Sequence, residues 1–169
     1  MSRRKRIHKE GATYFITATT RNRRDLFCEK KLAEVLVRQF YHYREGYQYD
    51  LHAYVVLPDH YHLLITVDEE SDISNIIHSI NSYSAYRINE IKGSRRKEGI
   101  WQRDCWTEVI RNKEMYRQKL AYILANPWKE DLVDHPLEEY EFSNLGEVKQ
   151  DKGEEYILDL FSQYSRSWG

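Results

Sequence analysis

His60 and His62 stand two residues apart at the head of an apolar run, "LPDHYHLLITV" (57–67). Leu63, Leu64, Ile65 and Val67 behind a proline read as a strand, and strand side chains alternate, so the two imidazoles project from one face. Two imidazoles side by side on a strand are a ready pair of metal ligands. Paired core or surface histidines give the same spacing, so a metal site needs a third ligand and a function needs a reacting group. "AYILANP" (121–127) offers both. Tyr122 and Asn126 are four apart and share one face of a helix. The Asn126 carbonyl oxygen suits a metal that already holds two imidazoles. A neutral phenol such as that of Tyr122 is a poor nucleophile, but a divalent cation polarising a phosphate makes its attack feasible. The plainer alternative makes Tyr122 a core tyrosine and Asn126 a helix C-cap before Pro127.

The elements that must position these residues follow from periodicity. "ATYFITATT" (12–20) alternates and is a strand, while Leu32, Val35, Leu36 and Phe40 recur at helical spacing within 28–45. A second strand (47–58) enters the histidine strand through a turn at Pro58 and Asp59, forming a hairpin. Residues 72–91 form a helix capped by Ser71 or Asp72, with Ile73, Ile76, Ile77 and Ile80 on its apolar side. "IWQRDCWTEVI" (100–110) reads as a fourth strand, and 112–127 as a helix capped by Asn112 and stopped by Pro127. The first six elements have the β-α-β-β-α-β order of an α+β, ferredoxin-like fold with an antiparallel sheet.

Net charge is only -1, yet it is unevenly spread. "MSRRKRIHKE" at the start and "KGSRRKEG" (92–99) are basic, whereas Glu130 to Asp159 is dominated by acids. That asymmetry fits a nucleic-acid binder, with an ordinary solvated surface as the alternative. Cys28 and Cys105 show no CxxC spacing, which argues against a cysteine-based zinc site and for a reducing compartment. With no signal peptide and no membrane-crossing run, the expected location is the cytoplasm. Of the other candidates, Tyr61 points away from the histidine pair and Tyr116 faces the other side of its helix. Tyr83 and Tyr86 belong to a different helix, where packing or base stacking is expected, and His52, His78 and His135 lack partners at ligand spacing.

"LPDHYHLLITV" resembles the His-hydrophobic-His motif of single-tyrosine HUH transposases. "GIWQRDCWTEVIRNKEMYRQKLAYILANPWKEDLVDHPLEEYEFSN" resembles the Trp-Gln-Arg strand, the Ile-Arg turn and the Tyr-Ile-x-x-Asn-Pro helix of their REP-associated subfamily. "GATYFITATTRNRRDLF" shares that look, so the likeness spans about residues 11–145. Asp59 departs from the pattern, which more often has Asn there. The resemblance implies a transposase domain over 1–145, with 146–169 as an acidic tail. It implies His60, His62 and Asn126 as ligands of Mg²⁺ or Mn²⁺ and Tyr122 as the nucleophile. The implied activity is cleavage and strand transfer of single-stranded or hairpin DNA at palindromic, REP-like repeats through a 5′-phosphotyrosine, by a monomer or homodimer. Arg3, Arg4, Lys5, Arg6, Arg95, Arg96 and Lys97 are the expected phosphate contacts. Competing readings are a nuclease using activated water and a non-catalytic hairpin-binding protein.

Overall fold

A computed structural model describes residues 11–168, in which β1 (Thr13–Thr19), α1 (Lys30–Tyr47), β2 (Asp50–Leu57), β3 (His60–Thr66), α2 (Ile73–Ile91), β4 (Trp106–Ile110) and α3 (Lys113–Lys129) follow in the expected order. Two helices come after them, α4 (Leu145–Lys152) and α5 (Glu154–Tyr164). The four strands form one antiparallel sheet in the order β2-β3-β1-β4, the ferredoxin-like arrangement. Among the described residues no helix is long and apolar enough to cross a membrane.

Alternation along β1 and β3 divides the interior into two cores. Ile16, Ala18, Tyr61, Leu63 and Ile65 face α1 and α2, where Leu36, Phe40, Ile76 and Ile80 complete a fully buried layer. Phe15 and Leu64 face the other way, with Ala53, Val55 and Leu57 of β2, and meet α3 and α5. The caps are as the sequence suggests: Asp72 accepts from the Ser74 amide at 2.8 Å, and Asn112 from the Met115 amide at 2.8 Å.

Two expectations need correction. The fourth strand begins at Trp106, not at residue 100. Ile100 and Trp101 are instead drawn into the first core, where the Trp101 ring stacks on Phe27 and its Nε1 donates to Asn81 O and Ser84 Oγ, both at 3.1 Å. Only one isolated bridge, Thr20 to Trp101, links that segment to the end of β1. Secondly, Pro127 does not stop α3, which runs on to Lys129. Proline forfeits only its own amide bond, and the next turn still closes through the Glu130 amide to Asn126 O at 3.0 Å. The acidic segment after α3 ends in two helices, α4 and α5, and α5 is docked. Ile157, Leu160 and Phe161 of α5 are buried in the second core, and Arg117 of α3 pairs with Asp159 at 3.2 Å.

The segment between α3 and α4 covers the open edge of β2. The Val56 amide donates to Phe142 O at 2.8 Å, Tyr140 Oη donates to Val56 O at 3.0 Å, and Asn144 Oδ1 accepts from the Tyr54 amide at 2.9 Å. An exposed strand edge is a pairing hazard, and "EYEFSN" removes it here.

Because Phe161 is only 6% exposed and packs in the core that backs α3, Phe161→Ala should lower the unfolding free energy by roughly 3 kcal/mol in urea titration. Loss of less than about 0.5 kcal/mol, the scale of a surface substitution, would mean that α5 does not hold the second core together.

Candidate active site

β1 pairs with β3 so that Thr17 lies opposite His62 and Thr19 opposite His60, and Trp106 of β4 lies beside Thr17. These residues share one face of the sheet at one corner. The start of β3 and the end of β1 meet there because the turn at Pro58 and Asp59 brings β3 in beside the outgoing end of β1. α3 crosses the same face and lowers Lys119 and Tyr122 over it. The result is a cleft of about 450 Å³ lined by Phe15, Thr17, Thr19, Arg23, His60, His62, Trp106, Lys119 and Tyr122.

The two imidazole rings lie 4.8 Å apart at 80°. The Tyr122 ring is edge-on to His62 at 5.2 Å, and Phe15 stacks on His62 at 5.3 Å while meeting Tyr122 at 5.9 Å. Phe15 is therefore the wall against which both the metal-ligand candidate and the nucleophile candidate are set. The Lys129 ammonium sits over the Tyr122 ring at 5.3 Å.

Each histidine is held by a different partner. His60 Nδ1 lies 2.6 Å from Asp59 Oδ1. A carboxylate accepts, so Nδ1 carries a proton and Nε2 is the nitrogen left for a second partner. Asp59 also receives Arg23 Nη1 on its second oxygen, at 3.1 Å. Burial pulls the Asp59 carboxyl upward, but the hydrogen bond from His60 and the Arg23 charge outweigh it and hold the group below the usual carboxylate range. His62 Nδ1 lies 2.8 Å from Thr17 Oγ1. Burial, with His60 and Lys119 nearby, pushes the His62 imidazole down to about 3, so it is neutral at ordinary pH.

Among the described residues His62 Nε2 is buried with no hydrogen-bond partner. A buried polar nitrogen without a partner costs free energy, roughly 1–3 kcal/mol, and such groups are rare in folded proteins. A neutral imidazole, aimed into a cleft beside a second one whose tautomer is fixed by a carboxylate, suits a bound cation. Among the described residues no group of three His, Cys, Asp or Glu side chains is placed to hold a metal.

His60, His62 and Tyr122 thus line one cleft. Asn126 is 3% exposed within α3 and is not among the residues lining the cleft. Arg95, Arg96 and Lys97 are exposed in the loop after α2. Arg3, Arg4, Lys5 and Arg6 lie outside the described residues. Tyr61 is fully buried on the opposite face and donates to Asn81 Oδ1 at 2.7 Å, while Tyr116 packs on His52 at 5.2 Å, away from the cleft. Tyr83 and Tyr86 are exposed on α2, so packing does not account for them.

Sequence reasoning passed over Phe15, Thr17, Arg23, Trp106 and Lys119. Three of these had a signal. Phe15 and Thr17 share a strand face, and Lys119 precedes Tyr122 by three residues, one helical turn. The cleft side of Arg23 depends on a backbone corner that no periodicity reveals.

Comparison with known proteins bears on this cleft. The family described as "Transposase IS200 like" matches residues 8–123, which includes His60, His62 and Tyr122. A REP-associated tyrosine transposase of Escherichia coli K12 is 28% identical over 141 residues, 80% of this chain and 81% of that protein. A Haemophilus influenzae protein described as a candidate of the same kind is 29% identical over 143 residues, 79% of this chain and 80% of its own. The structure of a REP-associated tyrosine transposase bound to a REP hairpin superposes with a TM-score of 0.66 at 27% identity, covering 90% of this chain and 87% of that one. A Deinococcus radiodurans structure, at 18% identity and a TM-score of 0.51 over 73% of this chain and 95% of its own, shares the fold.

The Asp59 contact predicts the His60 tautomer. Long-range proton–nitrogen NMR should show Nδ1–H in the parent protein and a shift toward Nε2–H in Asp59→Ala. An Nε2–H tautomer in the parent would show that the carboxylate does not orient the ring.

Proposed function

The chain belongs to the IS200-like transposase family, and from that membership we propose that it cleaves and rejoins single-stranded DNA at hairpin-forming, REP-like repeats with Tyr122 as nucleophile. The observation that carries this reading is the placement of Tyr122 in one cleft with His60 and with His62, whose buried Nε2 lacks a partner among the described residues. Hairpin DNA is carried over as the substrate class from the relative whose structure holds a REP hairpin.

The proposed ligands of a Mg²⁺ or Mn²⁺ ion are His60 and His62, with Asn126, one turn beyond Tyr122, as the third only if its side chain, buried in this structure, turns into the cleft. Such an ion, when bound, supplies polarisation of the phosphodiester. Two imidazole donors suit Mn²⁺ better than Mg²⁺, which prefers oxygen ligands. The protein's own part is positional. Phe15 fixes the Tyr122 ring, Asp59 and Thr17 orient the two imidazoles, and Lys119 adds a positive charge beside the cleft.

In the proposed reaction the Tyr122 phenol oxygen bonds to phosphorus as the bond from phosphorus to the 3′-oxygen breaks. The phenol proton passes to solvent, and the departing oxygen takes up a proton to become a free 3′-hydroxyl. A 3′-hydroxyl then attacks the 5′-phosphotyrosine, restoring a phosphodiester and the phenol without ATP. His60, His62 and Tyr122 come from the same chain, so the reaction as drawn needs no residue from a second copy.

Tyr122→Phe should abolish cleavage of a labelled hairpin with a single-stranded flank, while hairpin binding stays within about threefold of the parent. EDTA, His60→Ala and His62→Ala should each remove cleavage. Cleavage by the Phe variant would point to attack by water, and unimpaired cleavage in EDTA would dissociate the histidines from a metal.

The exposed loop cations are the proposed phosphate contacts outside the cleft. Neutralising Arg95, Arg96 and Lys97 together should flatten the log–log salt dependence of single-stranded DNA binding by about 2, at roughly 0.7 per contact. An unchanged slope would remove this loop from the binding surface.

A further inference from the structure

Resting on the phosphodiester reading of the cleft, we infer that Arg23 is its phosphate clamp: its guanidinium grips a non-bridging oxygen of the scissile phosphate while Asp59 holds it beside His60. Arg23 follows the end of β1, in a corner where Asn22 (φ 59°) and Arg23 (φ 50°) both adopt the left-handed conformation. Side chains other than glycine rarely accept that backbone, and it persists only where the surroundings impose it. Here they do. The Thr20 amide donates to Asp59 O at 2.8 Å, the Arg23 amide to Thr20 O at 3.0 Å, the Arg21 amide to Ile100 O at 2.8 Å, and Thr20 Oγ1 to Arg24 O at 2.8 Å. The corner is thereby bolted to the β2–β3 turn and to the segment before β4.

The consequence of that corner is to turn Arg23 back toward the cleft. Its neighbours Arg21 and Arg24 are engaged elsewhere: Arg24 binds Glu98 at 3.1 Å and Gly99 O at 2.8 Å, and Arg21 lies against Gly99. Arg23 alone of the three lines the cleft with both histidines and Tyr122. Its side chain is 70% exposed, and Asp59 engages only Nη1. A guanidinium carries five N–H donors in a planar fork, so the remaining edge can meet an anion without breaking the Asp59 contact. Lys119, the other cation lining the cleft, is more committed. Its ammonium pairs with Glu108 at 3.0 Å and sits over the Phe15 ring at 4.5 Å, and its side chain is 24% exposed. A surface Arg–Asp pair by itself adds little stability, so a strained corner that exists to form one would be poorly explained by folding alone.

The test compares two proteins that both carry Tyr122→Phe, one also with Arg23→Ala. The probe is a synthetic DNA hairpin with a ten-nucleotide single-stranded flank, in versions carrying one neutral methylphosphonate at each successive flank linkage. Fluorescence anisotropy gives Kd for every version. One linkage should matter to the first protein alone, weakening its binding by about tenfold, the scale of a hydrogen bond to a charged group. That linkage should be the one at which the parent protein forms its covalent adduct. Arg23→Lys should restore only part of the effect, because it returns the charge without the fork. Equal penalties in both proteins at every linkage would overturn the clamp, as would an Arg23-dependent linkage other than the adduct site. An Arg23-dependent linkage in a protein that forms no adduct anywhere would instead overturn the tyrosine chemistry and leave the clamp standing.

Discussion

The pairing of β1 with β3 is the constraint on which the site depends. It sets Thr17 opposite His62 and Thr19 opposite His60 on the face that α3 covers. Strand side chains alternate with period two, so a slip of one residue would turn both imidazoles into the α1–α2 core and place Tyr61 in the cleft. That slip is strongly opposed. Tyr61, Leu63 and Ile65 are fully buried on the first face, and Leu64 on the second. Burying such side chains is worth roughly 1.5–3 kcal/mol each, so both cores hold the register that positions the chemistry.

The same burial gives the cleft its electrostatic character. An imidazole in bulk water is partly protonated near neutrality, and only its neutral form ligates a metal. His62 is kept neutral by its desolvated position and by His60 and Lys119 beside it. His60 is less buried, and its Nδ1 is oriented by Asp59, whose second oxygen is taken by Arg23. Asp59 touches both the His60 imidazole and the Arg23 guanidinium. A carboxylate there strengthens the hold on Nδ1 and supplies the anchor for a neighbouring arginine.

Much of this was legible in the sequence, and the failures have specific causes. His60 and His62 could be placed on one face because a strand has a fixed period, and Tyr122 could be placed beside a third candidate because a helix has one. The β-α-β-β-α-β order then implied which strands would be adjacent. The fourth strand was read too long because "IWQRDCW" carries aromatics, whereas Trp101 serves the core under α2 and leaves the ladder. α4 and α5 were hidden by their charge. Ile157, Leu160 and Phe161 follow the i, i+3, i+4 rule, yet the acids around them dominate the composition. Asn126 illustrates the limit of spacing as a guide. Its separation of four from Tyr122 puts both on α3, but Tyr122 opens into the cleft while Asn126 is buried within the helix packing. The Asn22–Arg23 corner left no trace in pattern, since its conformation is imposed by hydrogen bonds from segments distant in sequence.

The claim that joins fold to function is that Tyr122, and no other of the 14 tyrosines, attacks phosphorus. Peptide mapping by mass spectrometry of the protein after reaction with a flanked hairpin in Mn²⁺ tests it most directly. A nucleotide adduct should appear on the peptide containing Tyr122, linked through the 5′-phosphate, with a free 3′-hydroxyl on the released strand. An adduct on any other residue, or cleaved DNA bearing a 5′-phosphate with no protein attached at any time point, would contradict it.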